Sequence, residues 1–404
     1  MKHFVTLDDK TECVGVYCDG ELHFDNIPHG LSHTWSHTDS LTTIGASSVE
    51  FANLYCGGRT LDEVCPKGLK AKWNKVNKRM QAYFSSFVEA KVDLSENCFF
   101  DLIPKQYLTE FCDLKTRIVK SVFAEQVKPE NYDLLKDLVV MVADIKKRRI
   151  TLDMAPLREQ AHKQRARDLL KSFKEGRRSN FVVYDPFKTK TGRLAVKTGS
   201  FPILNLDKGF RSIILPENDL LLEFDYNAAE IRVLLALAQK EQPEGDIHQW
   251  HASNLAVSRE KAKELVLSWL YGSKTSDIGE GIEKLYDREK ILTSFYNRQN
   301  DSVTTPMGRT IKTDDFHALN HLVQSTTADM VFEQMAKVYK TLQGTESFIK
   351  FCLHDSIVID LKKEDLDGIM DLVDLFSNTR FGKIRVGASA GKNFGNMKKI
   401  GLGV

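Results

Sequence analysis

The sequence predicts an α+β protein of more than one domain, and three observations predict it. The chain has 404 residues, more than one hydrophobic core supports, because single cores stop growing at roughly 250 to 300 residues. Most patterned stretches carry apolar residues at helical spacing. The stretches that read as strands are short, apolar and bounded by polar or turn residues, and two of them flank a polar trio as a hairpin. With 42% hydrophobic and 28% charged residues, the composition is ordinary for a globular protein and excludes a fibrous repeat or extended disorder.

Residues 1–133 are expected to form a small N-terminal domain. It opens on a hairpin, VGVYCDGELHF, with Asp19-Gly20 as the turn, a dipeptide suited to the left-handed conformations of a tight hairpin. The rest of this stretch mixes polar and helical segments without a motif that names a role. From Tyr132 to Lys174 the pattern is helical: Leu135, Leu138, Val139 and Val142 recur on one face, and a polar, basic helix follows around Pro156 to Lys174. Residues 175–209, rich in Gly, Lys, Ser and Pro, read as loop with short strands.

Leu220–Phe224 is an apolar run that reads as a buried strand, with Asp225 at its end and a helix from about Asn227 to Gln239 behind it. Helices dominate to about Gln299, and another runs from about Phe316 to Leu342. Phe351-Cys352-Leu353 and Ile357-Val358-Ile359 then flank His354-Asp355-Ser356, which places the polar trio at the bend of an apolar hairpin.

Met1–Lys10 has no apolar core of a signal peptide, and the longest apolar run, Leu138–Ile145, is too short to span a bilayer. The expected location is the cytoplasm, without membrane attachment. Seven cysteines, an odd number with no CxxC pair, indicate neither a disulfide framework nor a zinc site, and buried reduced thiols are expected. The net charge of +2 hides a strong asymmetry: Lys146–Lys197 holds 16 Lys and Arg against 5 Asp and Glu. Such a tract suits a polyanionic partner, although a solvated helix face would also account for KKRR at Lys146–Arg149.

Asp225 and Asp355 each follow an apolar strand, where a charge is costly unless a cation or partner neutralises it. On neighbouring strands they could share two Mg²⁺ ions about 3.5–4 Å apart, the arrangement that stabilises both attacking and leaving oxygens in phosphoryl transfer. Magnesium accepts so sparse a protein shell because phosphates and water complete it. Arg259, Lys263, Leu267 and Tyr271 follow one another at steps of four, a step that drifts only about 40° around a helix, so they share one side, with Gly272 closing the helix. The cationic end could hold a triphosphate while the other packs against a base.

DYNAAEIR (Asp225–Arg232) resembles motif A of the Escherichia polymerase I-like (family A) DNA polymerases, AVSREKAKELVLSWLYGS (Ala256–Ser273) resembles their motif B, and LHDSIV (Leu353–Val358) resembles motif C. TGRL (Thr191–Leu194), DIH (Asp246–His248), MGR (Met307–Arg309), NHLVQSTTAD (Asn320–Asp329) and GKNFG (Gly391–Gly395) also fall where that family has matching elements. The resemblance covers residues 134–404. It implies a right-hand fold: a reduced thumb and basic DNA-binding segment at 134–200, an antiparallel-sheet palm at 201–243 and 308–404, and helical fingers at 244–307.

The resemblance further implies a template-directed DNA polymerase of replication or repair that adds dNMP from dNTP to a primer 3′-hydroxyl and releases pyrophosphate. Asp225 and Asp355 would be catalytic ligands of two Mg²⁺ ions. Arg259 and Lys263 would hold the triphosphate, Tyr271 and Glu230 would shape the sugar pocket, with Glu230 the barrier to a 2′-hydroxyl, and His248 would lie near the phosphates. Arg193, Asn320, Gln324 and His354 would contact primer-template DNA.

The chain departs from the family pattern at several positions. Leu267 stands where an aromatic residue is usual, Phe316 replaces an arginine four positions before Asn320, Ser356 replaces a glutamate, and Asn227-Ala228-Ala229 replaces Ser-Gln-Ile. ADIKKRRITLDMAPL (Ala143–Leu157) is similar to the entry of the family's thumb, but too few residues separate it from Thr191 for a full-sized thumb. Weak processivity without a processivity partner is therefore expected, with phosphate contacts from the basic tract replacing part of the grip.

Proofreading is not expected. Asp19-Gly20-Glu21 has the spacing of a first exonuclease motif but reads better as a turn, and no second or third element follows. A bacteriophage-type enzyme fits the short length. A single-subunit RNA polymerase, or a non-catalytic accessory subunit with a hand-like fold, are the alternative readings.

Overall fold

A computed structural model describes every residue except 9–13, 46–47, 95, 273–275 and 402–404, with the side chains of 276–279 also outside the description. The chain divides into two units, Met1–Lys136 and Asp137–Val404.

In the first unit a five-stranded sheet has the order β3-β2-β1-β4-β5. Its strands are β1 (Lys2–Asp8), β2 (Val14–Cys18), β3 (Glu21–His23), β4 (Leu31–Thr34) and β5 (Glu50–Phe51). The β1–β2 and β2–β3 pairs are antiparallel, whereas β1–β4 and β4–β5 are parallel. The β2–β3 hairpin turns at Asp19 and Gly20, whose φ values of 51° and 93° match the mirror-image turn that Asp-Gly favours. Two long helices follow, α1 (Lys67–Glu89) and α2 (Lys105–Glu125). In α1 the buried positions are Trp73, Val76 and Met80, one stripe at helical spacing, and they join Tyr107, Leu108, Cys112 and Ile118 of α2 and Val5 and Leu7 of β1 in one core. Two buried polar tips are satisfied: Tyr107 Oη donates to the Val76 carbonyl at 2.6 Å, and Trp73 Nε1 donates to Asp62 at 2.7 Å.

Helix α3 (Tyr132–Lys147) carries the boundary between the units. The second unit continues through α4 (Gln164–Lys174) and a stretch with two-residue strands at Tyr184–Asp185 and Ala195–Val196. Its centre is a second sheet, order β7-β8-β6-β9-β10, with every pair antiparallel. Strand β6 (Leu220–Tyr226) lies in the middle, between β8 (Ser356–Leu361) and β9 (Val386–Gly391), with β7 (Phe348–Leu353) and β10 (Lys398–Lys399) outside. All twelve residues of β7 and β8 are buried, which explains why Phe351-Cys352-Leu353 and Ile357-Val358-Ile359 read as apolar runs rather than as alternating ones.

Between β6 and β7 run α5 (Ala229–Leu237), α6 (Ile247–Leu255), α7 (Arg259–Leu270), α8 (Ser276–Tyr286), α9 (Arg288–Phe295) and α10 (Asp315–Thr341), and α11 (Ile369–Ser377) follows β8. Helix α10 packs on α5 and α11, and α11 packs on β6 and β9. The cysteines Cys18, Cys56, Cys112 and Cys352 are buried and unbridged, Cys65 is unbridged and partly exposed, Cys98 is partly exposed, and Cys13 lies outside the described residues. Among the described residues no helix is long and apolar enough to cross a membrane.

Two buried ion pairs brace the second unit. Lys350 and Asp360 are both fully buried, with Nζ to carboxylate 2.6 Å. Asp360 also accepts the backbone N–H groups of Glu217 at 2.7 Å and Asn218 at 2.8 Å, so one carboxylate fixes the entry to β6 against the end of β8. Lys350 reaches it from a register irregularity between Ile349 and Phe351. The second pair joins Arg309 to Asp329 in a two-pronged contact, Nη2 to Oδ1 at 2.6 Å and Nε to Oδ2 at 2.9 Å, with the Asp329 side chain fully buried.

Candidate active site

The local sequence explains why Asp225 and Asp355 meet. Strand β6 pairs with β8 so that Asp225 lies opposite Ser356, the residue after Asp355. The β7–β8 hairpin turns on His354 and Asp355, and His354 takes a left-handed φ of 49°. The two acids predicted from strand-end positions are therefore neighbours at one end of the sheet. Burial, then the charge of Asp355, then that of Glu223 push the Asp225 carboxyl up to about 7, although one side of the residue is open to solvent. Asp355 is also raised, by burial, with His354 and Arg193 opposing. The Asp225 carboxylate, partly desolvated and beside a second acid, is a group whose charge a bound cation could neutralise.

This gives a sign for pH dependence. Because the folded carboxyl of Asp225 binds its proton more tightly than the unfolded one does, its ionisation opposes folding, and metal-free stability falls as pH rises from the ordinary carboxylate range through about 7. Asp225→Asn is expected to raise the melting temperature of the metal-free protein at pH 8 and to have little effect at pH 4. A lower melting temperature for the variant at pH 8 would show that the carboxylate is stabilised as the anion instead.

Glu223 was not singled out by the sequence reading. It lies two residues before Asp225 on the same strand face and accepts from Ser389 Oγ at 3.3 Å and from Ser356 Oγ at 3.5 Å. The period-two spacing of a strand is the signal that could have found it.

A second group of predicted residues forms one connected chain. Arg193 donates to Glu230, Tyr271 Oη donates to Glu230 at 3.5 Å, and Gln324 Nε2 donates to Tyr271 Oη at 3.0 Å. Four separate stretches (the TGRL loop, α5, the end of α7 and α10) are thereby joined. The loop is fixed from behind: Gly192 has φ 80°, and a Cβ there would lie 2.5 Å from the Arg309 guanidinium carbon, so only glycine lets the loop lie on the Arg309–Asp329 pair. In this structure the Arg193 guanidinium engages Glu230.

Helix α7 carries Arg259, Lys263 and Leu267, while Tyr271 is its C-terminal cap. Ser258 caps its N-terminus by accepting from Lys261 N at 3.3 Å. Arg259 pairs with Asp246, Nη2 to Oδ2 at 2.7 Å, and this guanidinium holds the Asp246 carboxyl down to about 2. Asp246 also caps α6 through Gln249 N at 2.8 Å. Lys263 is exposed and Leu267 half-buried. His248 is buried, which lowers its pKa against the opposing charge of Asp246, and its Nδ1 has no hydrogen-bond partner among the described residues. The same is true of Asn320 Nδ2. Ser273, the last residue of the motif B stretch, lies outside the described residues.

Arg232, also overlooked as a structural element, is buried and donates to the carbonyls of Asn227 at 3.0 Å, Pro243 at 3.2 Å and Gly245 at 3.0 Å. It ties the start of α5 to the segment that presents Asp246. Ala228, just before α5, sits at φ 53°, a left-handed conformation that costs a non-glycine residue about 1–2 kcal/mol.

The basic tract contributes an open cleft of about 810 Å³, with Arg165, Arg177, Arg178, Lys197, Asn205 and Phe210 among its lining residues. None of the predicted site residues lines it. Asp168 and Asp207 line it too, and Arg165 lies 3.4 Å from Asp207, so the lining is mixed in charge with cations in excess.

Comparison with known proteins finds a similar sequence. A DNA polymerase of Mycobacterium phage L5 is 24% identical over 237 residues, which cover 50% of this chain and 38% of that protein. The chain thus spans well under half the length of this relative. No protein-family model matches the chain.

Proposed function

We propose that residues 137–404 form a template-directed DNA polymerase of right-hand architecture, with the β6–β10 sheet as palm, residues 244–307 as fingers and the basic stretch before residue 200 as a reduced thumb. The observation that carries this reading is the juxtaposition of Asp225 and Asp355 at adjacent strand ends. The similarity to a phage DNA polymerase supports the same reading.

Two Mg²⁺ ions fit the donor set by its chemistry. Both groups offer hard carboxylate oxygens, the Asp225 carboxyl raised by burial and by the charge of Asp355 and the Asp355 carboxyl raised by burial, and phosphate and water oxygens would complete the shell. Among the described residues no group of three or more His, Cys, Asp or Glu side chains is placed to hold a metal, so the two acids would share the ions with substrate. Divalent cations bound there would supply Lewis-acid polarisation of the attacking and leaving oxygens.

The chain's own residues orient and select. On this reading the primer 3′-hydroxyl attacks the α-phosphate of a dNTP and pyrophosphate leaves. Lys263, exposed on α7, and Arg259, released from Asp246, would meet the charge that develops on the leaving group. Glu230, held between Arg193 and Tyr271, would close the space beside the sugar C2′. Arg193, Asn320, Gln324 and His354 would meet the primer-template near its terminus.

For the first unit we propose no intact proofreading. In support, Asp19 and Gly20 form the β2–β3 turn. Asp8, at the end of β1, is bound by the hydroxyls of Ser40 and Thr6 and lies close enough to Lys115 for their charges to interact.

The test is extension of a labelled primer on a DNA template with Mg²⁺ and either dNTPs or rNTPs. Extension with dNTPs only is expected. Extension with rNTPs would favour an RNA polymerase, and no extension a non-catalytic subunit. Glu230→Ala is expected to raise ribonucleotide use relative to deoxyribonucleotide use by roughly tenfold or more, the scale on which one pocket contact discriminates substrates. An unchanged ratio would remove Glu230 from the sugar pocket.

A further inference from the structure

Phe316 stands where the resemblance led us to expect an arginine, and its position gives it a different use. The residue is 52% exposed and Tyr271 is 50% exposed. An exposed aromatic face is a surface on which a nucleobase can stack. Both residues adjoin Gly272, Tyr271 as its chain neighbour and Phe316 by packing on it. The glycine's φ is 88°, and a Cβ there would lie 2.5 Å from Phe316 Cζ and 2.8 Å from Cε2, so the Phe316 ring rests directly on the Gly272 backbone.

The ring is also held from its own helix. His317 meets it edge-on, centroids 4.9 Å apart, and is itself fixed by Asp314, whose Oδ1 is 2.8 Å from His317 Nδ1. His321 stacks on His317 at 5.7 Å. The acidic neighbour Asp315 is paired with Arg288 at 3.3 Å and Arg298 at 3.5 Å, and so does not present an unpaired anion beside the ring. On the other flank the charge of Lys190 acts on His321. Tyr271 in turn contacts Glu230 and Gln324, so the ledge is continuous with the group of residues described above.

An exposed, pre-positioned ring fits an unpaired nucleobase, since stacking on an aromatic face tolerates every base and suits a template strand. A narrow ledge of two rings and histidines offers little of the buried apolar core that a protein partner requires. Resting on the polymerase reading, we infer that Phe316, seated on Gly272 beside Tyr271, is a stacking platform for an unpaired template nucleotide ahead of the primer terminus.

The test compares binding of two DNAs by the full chain, a primer-template with a 5′ template overhang and the same duplex made blunt. Variants are Phe316→Ala and Phe316→Tyr, with no dNTP present. Phe316→Ala is expected to weaken binding of the overhang substrate by roughly five- to a hundredfold, the range for one stacked base. Binding of the blunt duplex should be nearly unchanged, and Phe316→Tyr should bind both as the wild type does. Equal losses on both substrates, or no loss on the overhang, would overturn the assignment. A wild type that extends primers while Phe316→Ala shows no overhang defect would overturn this inference alone. A wild type that binds neither DNA would overturn the polymerase reading with it.

Discussion

Asp225→Ala is expected to slow nucleotide addition by at least about a thousandfold, the scale on which removal of a preorganised electrostatic group acts on a transition state. The carboxylate sits on the central strand of the sheet, beside Asp355 and two residues from Glu223. Alanine there removes the proposed cation ligand without emptying a packed core position, so the fold should persist. The pair is asymmetric in its surroundings. Asp355 is at a hairpin bend where His354 and Arg193 oppose the rise in its pKa, whereas Asp225 is raised further by two neighbouring acids. Single-turnover extension with saturating dNTP, beside a DNA-binding titration, separates the effects. The expected result is a lost rate with DNA affinity within a few fold of the wild type. A rate within tenfold of the wild type would remove Asp225 from the chemistry.

Lys350→Met is expected to destabilise the second unit by about 3–5 kcal/mol, the cost of leaving one member of a buried ion pair without its partner. Asp360 is fully buried and would keep only the Glu217 and Asn218 backbone donors. Because those donors lead into β6, the damage should reach the strand that carries Asp225. The melting temperature of the full chain's affected transition should fall on the order of 10 °C. A loss below about 1 kcal/mol in urea denaturation would mean that water reaches Asp360 or that its proton replaces the lost cation.

What the sequence made legible was whatever lies in one contiguous pattern. The Leu220–Phe224 run and the Phe351–Ile359 hairpin announce strands because the sheet buries them on both faces. Asp19-Gly20 announces its turn because few other dipeptides tolerate two positive φ values. The parallel pairing of β1 with β4 and β5 was not legible. LSHT and EF are too short and too polar to show a period, and their pairing is set by the helices and loops between them.

Long-range polar partners were equally hidden. Lys350 with Asp360 and Arg309 with Asp329 look like surface charges until the chain folds them inward. Arg193 and Glu230 lie in separate stretches of the sequence, and neither stretch shows that the two side chains pair in this structure. Arg259 likewise spends its charge on Asp246. Both pairs join residues that sequence order separates by 37 and 13 positions, and only tertiary placement reveals that each cation already has an anion.

The most direct test of the central claim is extension of a labelled primer on a DNA template with Mg²⁺ and dNTPs, comparing the wild type with Asp355→Ala. Template-dependent extension by the wild type, lost in a folded Asp355→Ala variant, is the predicted result. Extension that survives the substitution, or its absence from the wild type, would contradict the account.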